Sequence, residues 1–268
     1  MSKDKFLRSN VHSDLLSKVI FRVDIAGITD LKGYINRVKG LESIRNAFGR
    51  VLPIRSRSIN FVIDAQHAEY NKFTQEPEID EGFRFLDCSL EPKSKAILDI
   101  VHDSIIISID CSGAYSGSRQ YTQLIVTLLK ELFCYDSFVS IRRLGIRKID
   151  KKRFCSAEEI FSVFERKLNL FSQMLDDNTV KTRKNYDLLE IDGIRYNFVQ
   201  QFNRYIDCKD VSVLIDLDAF VSDEFFDMKS FREGNVLEEL LDKKIQNQMF
   251  DFFKKCVTEK YLEDCYEV

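Results

Sequence analysis

Two pairs of strand-like segments in this chain are each separated by only two residues. Apolar and polar residues alternate over 95–101 and 104–110, around His102-Asp103, and over 186–191 and 194–206, around Asp192-Gly193. A two-residue connection between such segments predicts a β-hairpin, and Asp-Gly is the strongest short signal for one. Hairpins join antiparallel strands, so the chain is predicted to form an antiparallel sheet, which can bury one face and leave the other in water.

The remaining elements follow from the spacing of apolar residues. Strands are predicted at 16–25, 58–64, 82–88, 138–149 and 211–220, and helices at 31–48, 118–134, 157–171 and 236–262. Ser156 and Glu159 form a capping box that would start the third helix. The last helix keeps an apolar stripe from Leu237 to Tyr261 with lysines on its other side, so it is predicted to be long and amphipathic.

The order of these elements repeats along the chain. It predicts an α+β fold with two tandem β-α-β-β-β-α halves, residues 1–135 and 136–268, in one compact body with the helices packed on one face of antiparallel sheets. Tandem halves of this kind resemble the saddle or cradle folds of TATA-binding and effector-binding (GyrI-like) domains. That resemblance implies a concavity between the halves that holds a ligand or a partner.

Composition narrows the compartment and the class of partner. The seven cysteines include no C-x-x-C pair, and no apolar run approaches the roughly 20 residues that span a bilayer. These features predict a cytoplasmic protein with free thiols and no membrane contact. Residues 1–60 have 12 Lys or Arg against 5 Asp or Glu, whereas 207–268 have 8 against 16. Either the two ends neutralise each other, or the basic part attracts an anion; nucleic acid is compatible but not indicated.

The stretch "IRRLGIRKID" (141–150) has arginines on either side of a glycine. On a strand, Arg143, Gly145 and Arg147 share one face. One interpretation is a structural lattice of ion pairs with Asp216 and Asp218, which share a face of the strand at 211–220. A second is a ligand site in which Arg143 and Arg147 bind a phosphate or carboxylate, and a third is plain exposure of both arginines to solvent. The lattice interpretation predicts that Arg143→Ala costs about 3–5 kcal/mol, as for a broken buried ion pair.

Three blocks of sequence resemble one known family. "LGIRKID" (144–150), preceded by Arg143, resembles an R-[IL]-G-[IL]-R-x-I-[ND] strand signature; "VSVLIDLDAF" (211–220) and "LDKKIQNQMFDFFKKCVTEKYLE" (241–263) resemble a penultimate strand and a closing helix. The family is sporadically distributed in bacteria and archaea, about 250 residues long and of unknown function. This chain departs from it at Lys148 and Asp150, where Tyr and Asn are more frequent. The resemblance brings no activity; it suggests a setting among defence genes.

No catalytic, metal-binding or cofactor-binding motif emerges. The three histidines, 12, 67 and 102, lack metal-ligand spacing. Carboxylates at Asp99, Asp110, Glu190 and Asp192 could form an acidic cluster, but no lysine stands at the interval that a nuclease would need. Cys111 precedes "SGAYSGS", which lacks the glycine spacing and Lys-Ser/Thr ending of a P-loop and is interpreted as a loop with Ser116 or Ser118 as N-cap.

The sequence therefore predicts a non-catalytic binding or interaction protein without a cofactor. Its partner is expected to be another protein, a second copy of the chain or a small anionic ligand. The resemblance adds the hypothesis of an accessory or sensing component of a bacterial defence system. The alternative is an enzyme of unrecognised type acting on nucleotides or nucleic acid.

Overall fold

A computed structural model describes residues 3–56, 59–62, 72–75, 79–87, 95–111, 119–156, 158–165, 181–204, 210–222 and 235–266. Its largest element is a nine-stranded antiparallel sheet with the strand order β2-β5-β6-β7-β1-β8-β11-β10-β9, beside a two-stranded ribbon, β3-β4. The strands are β1 (Leu16–Ile25), β2 (Arg50–Ser56), β3 (Ile59–Val62), β4 (Lys72–Gln75), β5 (Ile79–Leu86), β6 (Ala96–Val101), β7 (Ser104–Asp110), β8 (Ile141–Phe154), β9 (Thr182–Ile191), β10 (Ile194–Arg204) and β11 (Val211–Ser222).

Helices pack against one face of this sheet, here called the inner face. They are α1 (Leu31–Gly40), α2 (Glu42–Ala47), α3 (Arg119–Tyr135), α4 (Ile160–Val163), α5 and α6 (Glu259–Asp264). Helix α5 runs through Val236–Glu238, a π-helical segment Glu239–Ile245, and Gln246–Cys256. In the described ranges, no helix combines the length and apolar character needed to cross a membrane.

Strand alternation explains why the inner face carries the buried apolar residues. Phe21 and Val23 of β1 are fully buried and share one core cluster with Tyr34 of α1, Leu128 of α3 and Leu241 of α5. A second cluster lies beside it, where α4, α6 and the ends of β8 and β11 bring Phe154, Phe164, Val211 and Leu262 together. The residues between the buried ones, such as Arg22 and Asp24, lie on the opposite face, here called the outer face. The predicted α+β class and antiparallel sheet are confirmed.

The strand order reads alike in both directions from the centre. The first strand of each predicted half, β1 and β8, form the central antiparallel pair. Outward from β1 lie β7, β6 and β5; outward from β8 lie β11, β10 and β9. In each direction the first strand is therefore followed by the last strand of its half and then by the preceding ones. The first half differs by having β2 outside β5, together with the β3-β4 ribbon.

The helices differ from the predictions where the backbone turns extended. The helix predicted at 31–48 is interrupted at Leu41 (φ −70°, ψ 128°). The Glu159 amide donates to Oγ of Ser156 as predicted, but α4 begins only at Ile160 and ends at Val163, because Phe164 turns extended and bridges Val257. Residues 157 and 166–171 of the predicted helix lie outside the described ranges. The terminal helix is confirmed up to Cys256. It stops there because Val257 is extended, and Thr258 then caps α6 by accepting a hydrogen bond from the Tyr261 amide.

Both predicted hairpins are confirmed. His102 and Asp103 form the turn between β6 and β7. Asp192 (φ 51°) and Gly193 (φ 75°) form the turn between β9 and β10, and positive φ at both central residues is typical of a type I′ turn. The prediction missed β2, whose Pro53 and half-exposed pattern give it a weak strand signal, and it placed the next strand at 58–64 where the structure has Ile59–Val62.

Candidate functional site

Charged side chains form a series of ion pairs on the outer face. Their distribution follows from alternation, which gives each strand charged residues on the side that the helices leave uncovered. The pairs are Arg84–Asp99 between β5 and β6, Arg22–Asp24 within β1, Arg143–Asp218 and Arg147–Asp216 between β8 and β11, and Arg195–Glu190 between β10 and β9. Each of these arginines has a carboxylate beside it, so positive charge on this face is largely compensated.

The four residues named from the sequence come together in this series. Arg147 lies opposite Asp218 in the strand register but donates two hydrogen bonds to Asp216, Nε to Oδ1 at 2.8 Å and Nη2 to Oδ2 at 2.5 Å. Arg143 donates from Nη2 to Oδ2 of Asp218 at 2.6 Å. In both pairs the arginine contacts an aspartate that is not its direct neighbour across the two strands. Asp216 holds the pKa of Arg147 above its ordinary value, since a hydrogen-bonded carboxylate favours the charged guanidinium.

Gly145 explains how Arg143 reaches a carboxylate so far along the neighbouring strand. Gly145 lies opposite Phe220, and a Cβ there would come within 2.6 Å of the Phe220 Cβ and of the Ala219 carbonyl oxygen. The missing side chain leaves room for the Arg143 guanidinium to lie over the Phe220 ring, 4.3 Å from its centroid. The glycine therefore permits both a close strand approach and a cation–π contact.

The ion pairs are less buried than the sequence argument assumed. The side chains of Arg143 and Asp218 are 24% and 22% exposed, and that of Arg147 is 47% exposed. Solvent screens charges at this exposure, so the expected cost of removing either arginine falls below the 3–5 kcal/mol of a fully buried pair. Within the described structure, two buried atoms of this region have no hydrogen-bond partner: Nε of Arg143 and Oγ of Ser222, which lies opposite Arg143.

A polar cluster that the sequence did not predict lies on the inner face. Lys148 and Asp150 follow Leu144 and Ile146 on β8 and point toward α5. Burial raises the pKa of Asp150 to about 7 and lowers that of Lys148 to about 8, where Arg8 lowers it further. The sequence signal for this cluster was the presence of Lys148 and Asp150 where the family that the chain resembles more often has Tyr and Asn.

Other charged and polar side chains surround Lys148 and Asp150. Nη2 of Arg8 donates to Oδ1 of Asp242, in the π-helical part of α5, at 2.6 Å. Nε2 of the fully buried Gln246 donates to Oγ1 of Thr122 at 3.2 Å. The N terminus, α3, β8 and α5 thus meet at polar groups beneath the middle of the sheet. Such a cluster couples stability to pH, because charged and neutral forms of Asp150 differ in their cost of burial.

The β9 end of the sheet exposes large apolar side chains. Tyr186 and Leu188 are 59% and 62% exposed, and Leu189 and Ile191 on the other side of the strand are also exposed. Strand β9 pairs with β10 over its whole length and is the last strand of the sheet. Exposed apolar residues on a terminal strand mark a surface suited to a protein partner.

The other residues considered from the sequence do not assemble into a site. Asp99 and Glu190 are in the ion pairs described above, His102 and Asp192 are in turns, and the amide of His12 donates to the Cys265 carbonyl. His67, Ser116 and Ser118 lie outside the described residues. Burial raises the pKa of the Cys111 thiol to about 12, which opposes formation of the nucleophilic thiolate. No three His, Cys, Asp or Glu residues in the described ranges are grouped so that they could hold a metal ion.

Comparison of the chain with protein-family models finds no matching family, and comparison with curated proteins finds no matching relative. The candidate surface is therefore defined by its geometry. It consists of the outer face with its compensated charges and the β9 edge with its apolar side chains.

Proposed function

We propose that the chain is a non-catalytic interaction protein that binds an extended polypeptide along the edge of β9 to which no other strand of the described ranges pairs, here called the free edge. The observation that carries this proposal is the exposure of Tyr186, Leu188, Leu189 and Ile191 on an uninterrupted terminal strand of ten residues. Strand addition would supply backbone hydrogen bonds for affinity, and the alternating side chains would supply specificity.

The compensated arginines favour a protein partner over a small anion. Arg143 and Arg147 already contact Asp218 and Asp216, so a phosphate would have to compete with an existing carboxylate. The unpartnered Nε of Arg143 and Oγ of Ser222 support a second candidate, a small hydrogen-bonding ligand at that point of the outer face. Inorganic phosphate should then raise the melting temperature of the wild type and not that of Ser222→Ala. An enzyme acting on nucleotides or nucleic acid has no comparable observation in its support within the described ranges.

The wider setting is part of the same proposal. The matching strand order on the two sides of the β1–β8 pair supports an origin of the fold from two duplicated halves, 1–135 and 136–268. A cytoplasmic location and a role as an accessory or sensing component of bacterial defence rest only on the cysteine pattern and on the family resemblance.

Selection of binders from a phage-displayed library of random peptides tests the docking surface. The selected peptides should bind the wild type and lose binding to Tyr186→Pro. In the hairpin, residues 191 and 194 flank a two-residue turn and exchange hydrogen bonds, so the even-numbered amides of β9 face away from β10. Proline at 186 therefore removes an outward donor without removing a bond to β10.

Val51→Pro, on the opposite edge strand, is the matched control and should leave peptide binding unchanged, because the amide of Val51 faces away from β5 as that of Tyr186 faces away from β10. Hydrogen exchange should locate the bound peptide by slower exchange at the amides of Lys184, Tyr186 and Leu188. Binders that are equally tight on Tyr186→Pro, or that protect β2 instead, would show that β9 is not the docking edge.

A further inference from the structure

The free edge of β9 has a defined set of backbone groups available for pairing. Residues 182, 184, 186, 188 and 190 direct their amides and carbonyls outward, because the odd-numbered residues pair with β10. Their side chains lie on the outer face, as Glu190 does beside Arg195 and Tyr186 does beside Asn197. Any strand that adds to this edge must place its own outward-facing residues opposite these even positions.

A second copy of β9 can meet this requirement in a two-fold arrangement. If the axis passes through Asp187, Lys184 lies opposite Glu190 of the other copy, and Tyr186 lies opposite Leu188. Because the arrangement is symmetric, each of these contacts occurs twice, giving two ion pairs around a central apolar group of four side chains. All of these side chains are exposed in the single chain, and the charged ones have opposite signs.

The neighbouring symmetric registers are less complementary. Centring the axis on Tyr186 places Lys184 opposite Leu188, and centring it on Leu188 places Tyr186 opposite Glu190. Both registers set a charged residue against an apolar one and lose the ion pair. The register centred on Asp187 carries two unfavourable features on the inner-face side, since the two Asp187 side chains lie opposite each other and Arg183 lies opposite Ile191 of the other copy.

We propose that the partner at the β9 edge is a second copy of this chain, paired antiparallel in the register centred on Asp187. The two sheets then join into one, and both copies keep their outer faces on the same side. This inference rests on the proposed function of β9 as a docking edge and names the occupant of that edge.

Complementary charge reversal tests both the occupant and the register. Lys184→Glu alone places two carboxylates opposite each other at both ends of the paired segment, and Glu190→Lys alone places two ammonium groups opposite each other there. Each variant should dissociate roughly tenfold more readily than the wild type. An equimolar mixture restores two opposite-charge pairs and should dimerise, as measured by sedimentation velocity at micromolar concentrations. The melting temperature of each variant checks that the monomer is folded.

A disulfide trap measures the register independently. In this arrangement Asp187 is a non-hydrogen-bonded pair across the axis, with Cα atoms about 4.5 Å apart, which a disulfide can bridge. Asp187→Cys should therefore form a covalent dimer on mild oxidation, in a background with the exposed Cys134 and Cys155 changed to serine. Asn185→Cys is the control: the two copies of residue 185 would be roughly 13 Å apart along the strands and should remain unlinked.

A wild type that sediments as a monomer throughout would overturn the self-pairing, and so would a dimer insensitive to both charge reversals or linked through 185 rather than 187. Peptide binding that is lost in Tyr186→Pro would then still support β9 as a docking edge for another protein. If the chain neither dimerises nor binds peptides in a way that Tyr186→Pro abolishes, the proposed function is wrong as well.

Discussion

The two ends of the sheet are built differently. Strand β2 has seven residues, contains Pro53, and has a bulge between Ile54 and Arg55 in its pairing with β5. Strand β9 has ten residues, no proline and an unbroken register with β10. Prolines and bulges prevent a terminal strand from accepting another strand, whereas a long regular edge with apolar side chains invites it. The contrast indicates that one end of the sheet is closed to strand addition and the other is open.

The largest predicted effect concerns the middle of the sheet and should reach both ends equally. The folded-state pKa of Asp150, about 7, lies above its ordinary value of 3.8. Its contribution to stability is therefore complete below about pH 4 and is lost as the pH rises through about 7, a change of roughly 4 kcal/mol. Asp150→Asn should remove this loss. Urea unfolding measured from pH 4 to pH 8 checks it, since the depressed pKa of Lys148 acts mainly above that window.

Hydrogen exchange measured over the same pH range tests whether the two ends of the sheet unfold together. If the sheet is one cooperative unit, the slowest amides of β5 and of β10 should shift together in Asp150→Asn. A shift confined to one end would show that residues 1–135 and 136–268 unfold separately. An unchanged pH profile in Asp150→Asn would show that Asp150 is not the titrating group.

The second-largest predicted effect is a destabilisation confined to the β9 end of the sheet. Gly193 has φ 75°, and a β-branched side chain is strained there, so Gly193→Val should cost about 2 kcal/mol. Exchange of the β9 and β10 amides should accelerate while that of β2 and β5 stays unchanged. Gly40→Ala is the matched control, because a Cβ at Gly40 meets nothing within 4 Å. Equal acceleration at both ends would contradict a local effect of the turn.

The hairpins were predictable from sequence because their information is local. Asp192-Gly193 specifies a turn by itself, and alternation on either side specifies the strands. Strand β2 was not predictable in the same way, because Pro53 lowers its strand signal and only pairing with β5 holds it extended. Likewise the break at Val257 depends on its bridge to Phe164, a contact between distant parts of the chain.

The candidate site was predictable only in part for a related reason. Charge and spacing were enough to bring Arg143, Arg147, Asp216 and Asp218 into consideration. Which aspartate Arg143 contacts was not predictable, because this depends on the missing side chain at Gly145 and on the position of the Arg143 guanidinium over the Phe220 ring. Lys148 and Asp150 read as ordinary charged residues in sequence, and only the packing of α5 over β8 shows that their charges are buried.

The ion pair beside the centre of the sheet and the one near its β2 end should differ modestly in strength. Arg143→Ala loses a quarter-exposed ion pair and the contact with Phe220, and should cost about 1–2 kcal/mol. Arg84→Ala, toward the β2 end, loses a pair whose arginine is half exposed and should cost about 0.5 kcal/mol. Urea unfolding of both variants in low and high salt measures the difference. A larger effect of Arg84→Ala, or a salt-insensitive loss in both, would contradict the screening argument.

The smallest stability effect tests the closed end directly. Pro53→Val restores a backbone amide and a β-branched side chain on a terminal strand, so the free energy of unfolding should change by less than about 0.5 kcal/mol. Its consequence should appear in association, because the restored amide gives β2 an additional donor for a neighbouring chain. The bulge between Ile54 and Arg55 still twists the edge, so Pro53→Val should form only weak oligomers in sedimentation velocity. These should persist when Lys184→Glu is added, since that change acts at β9. Oligomers abolished by Lys184→Glu would assign the new association to β9, and the proline would then have no role in keeping β2 closed.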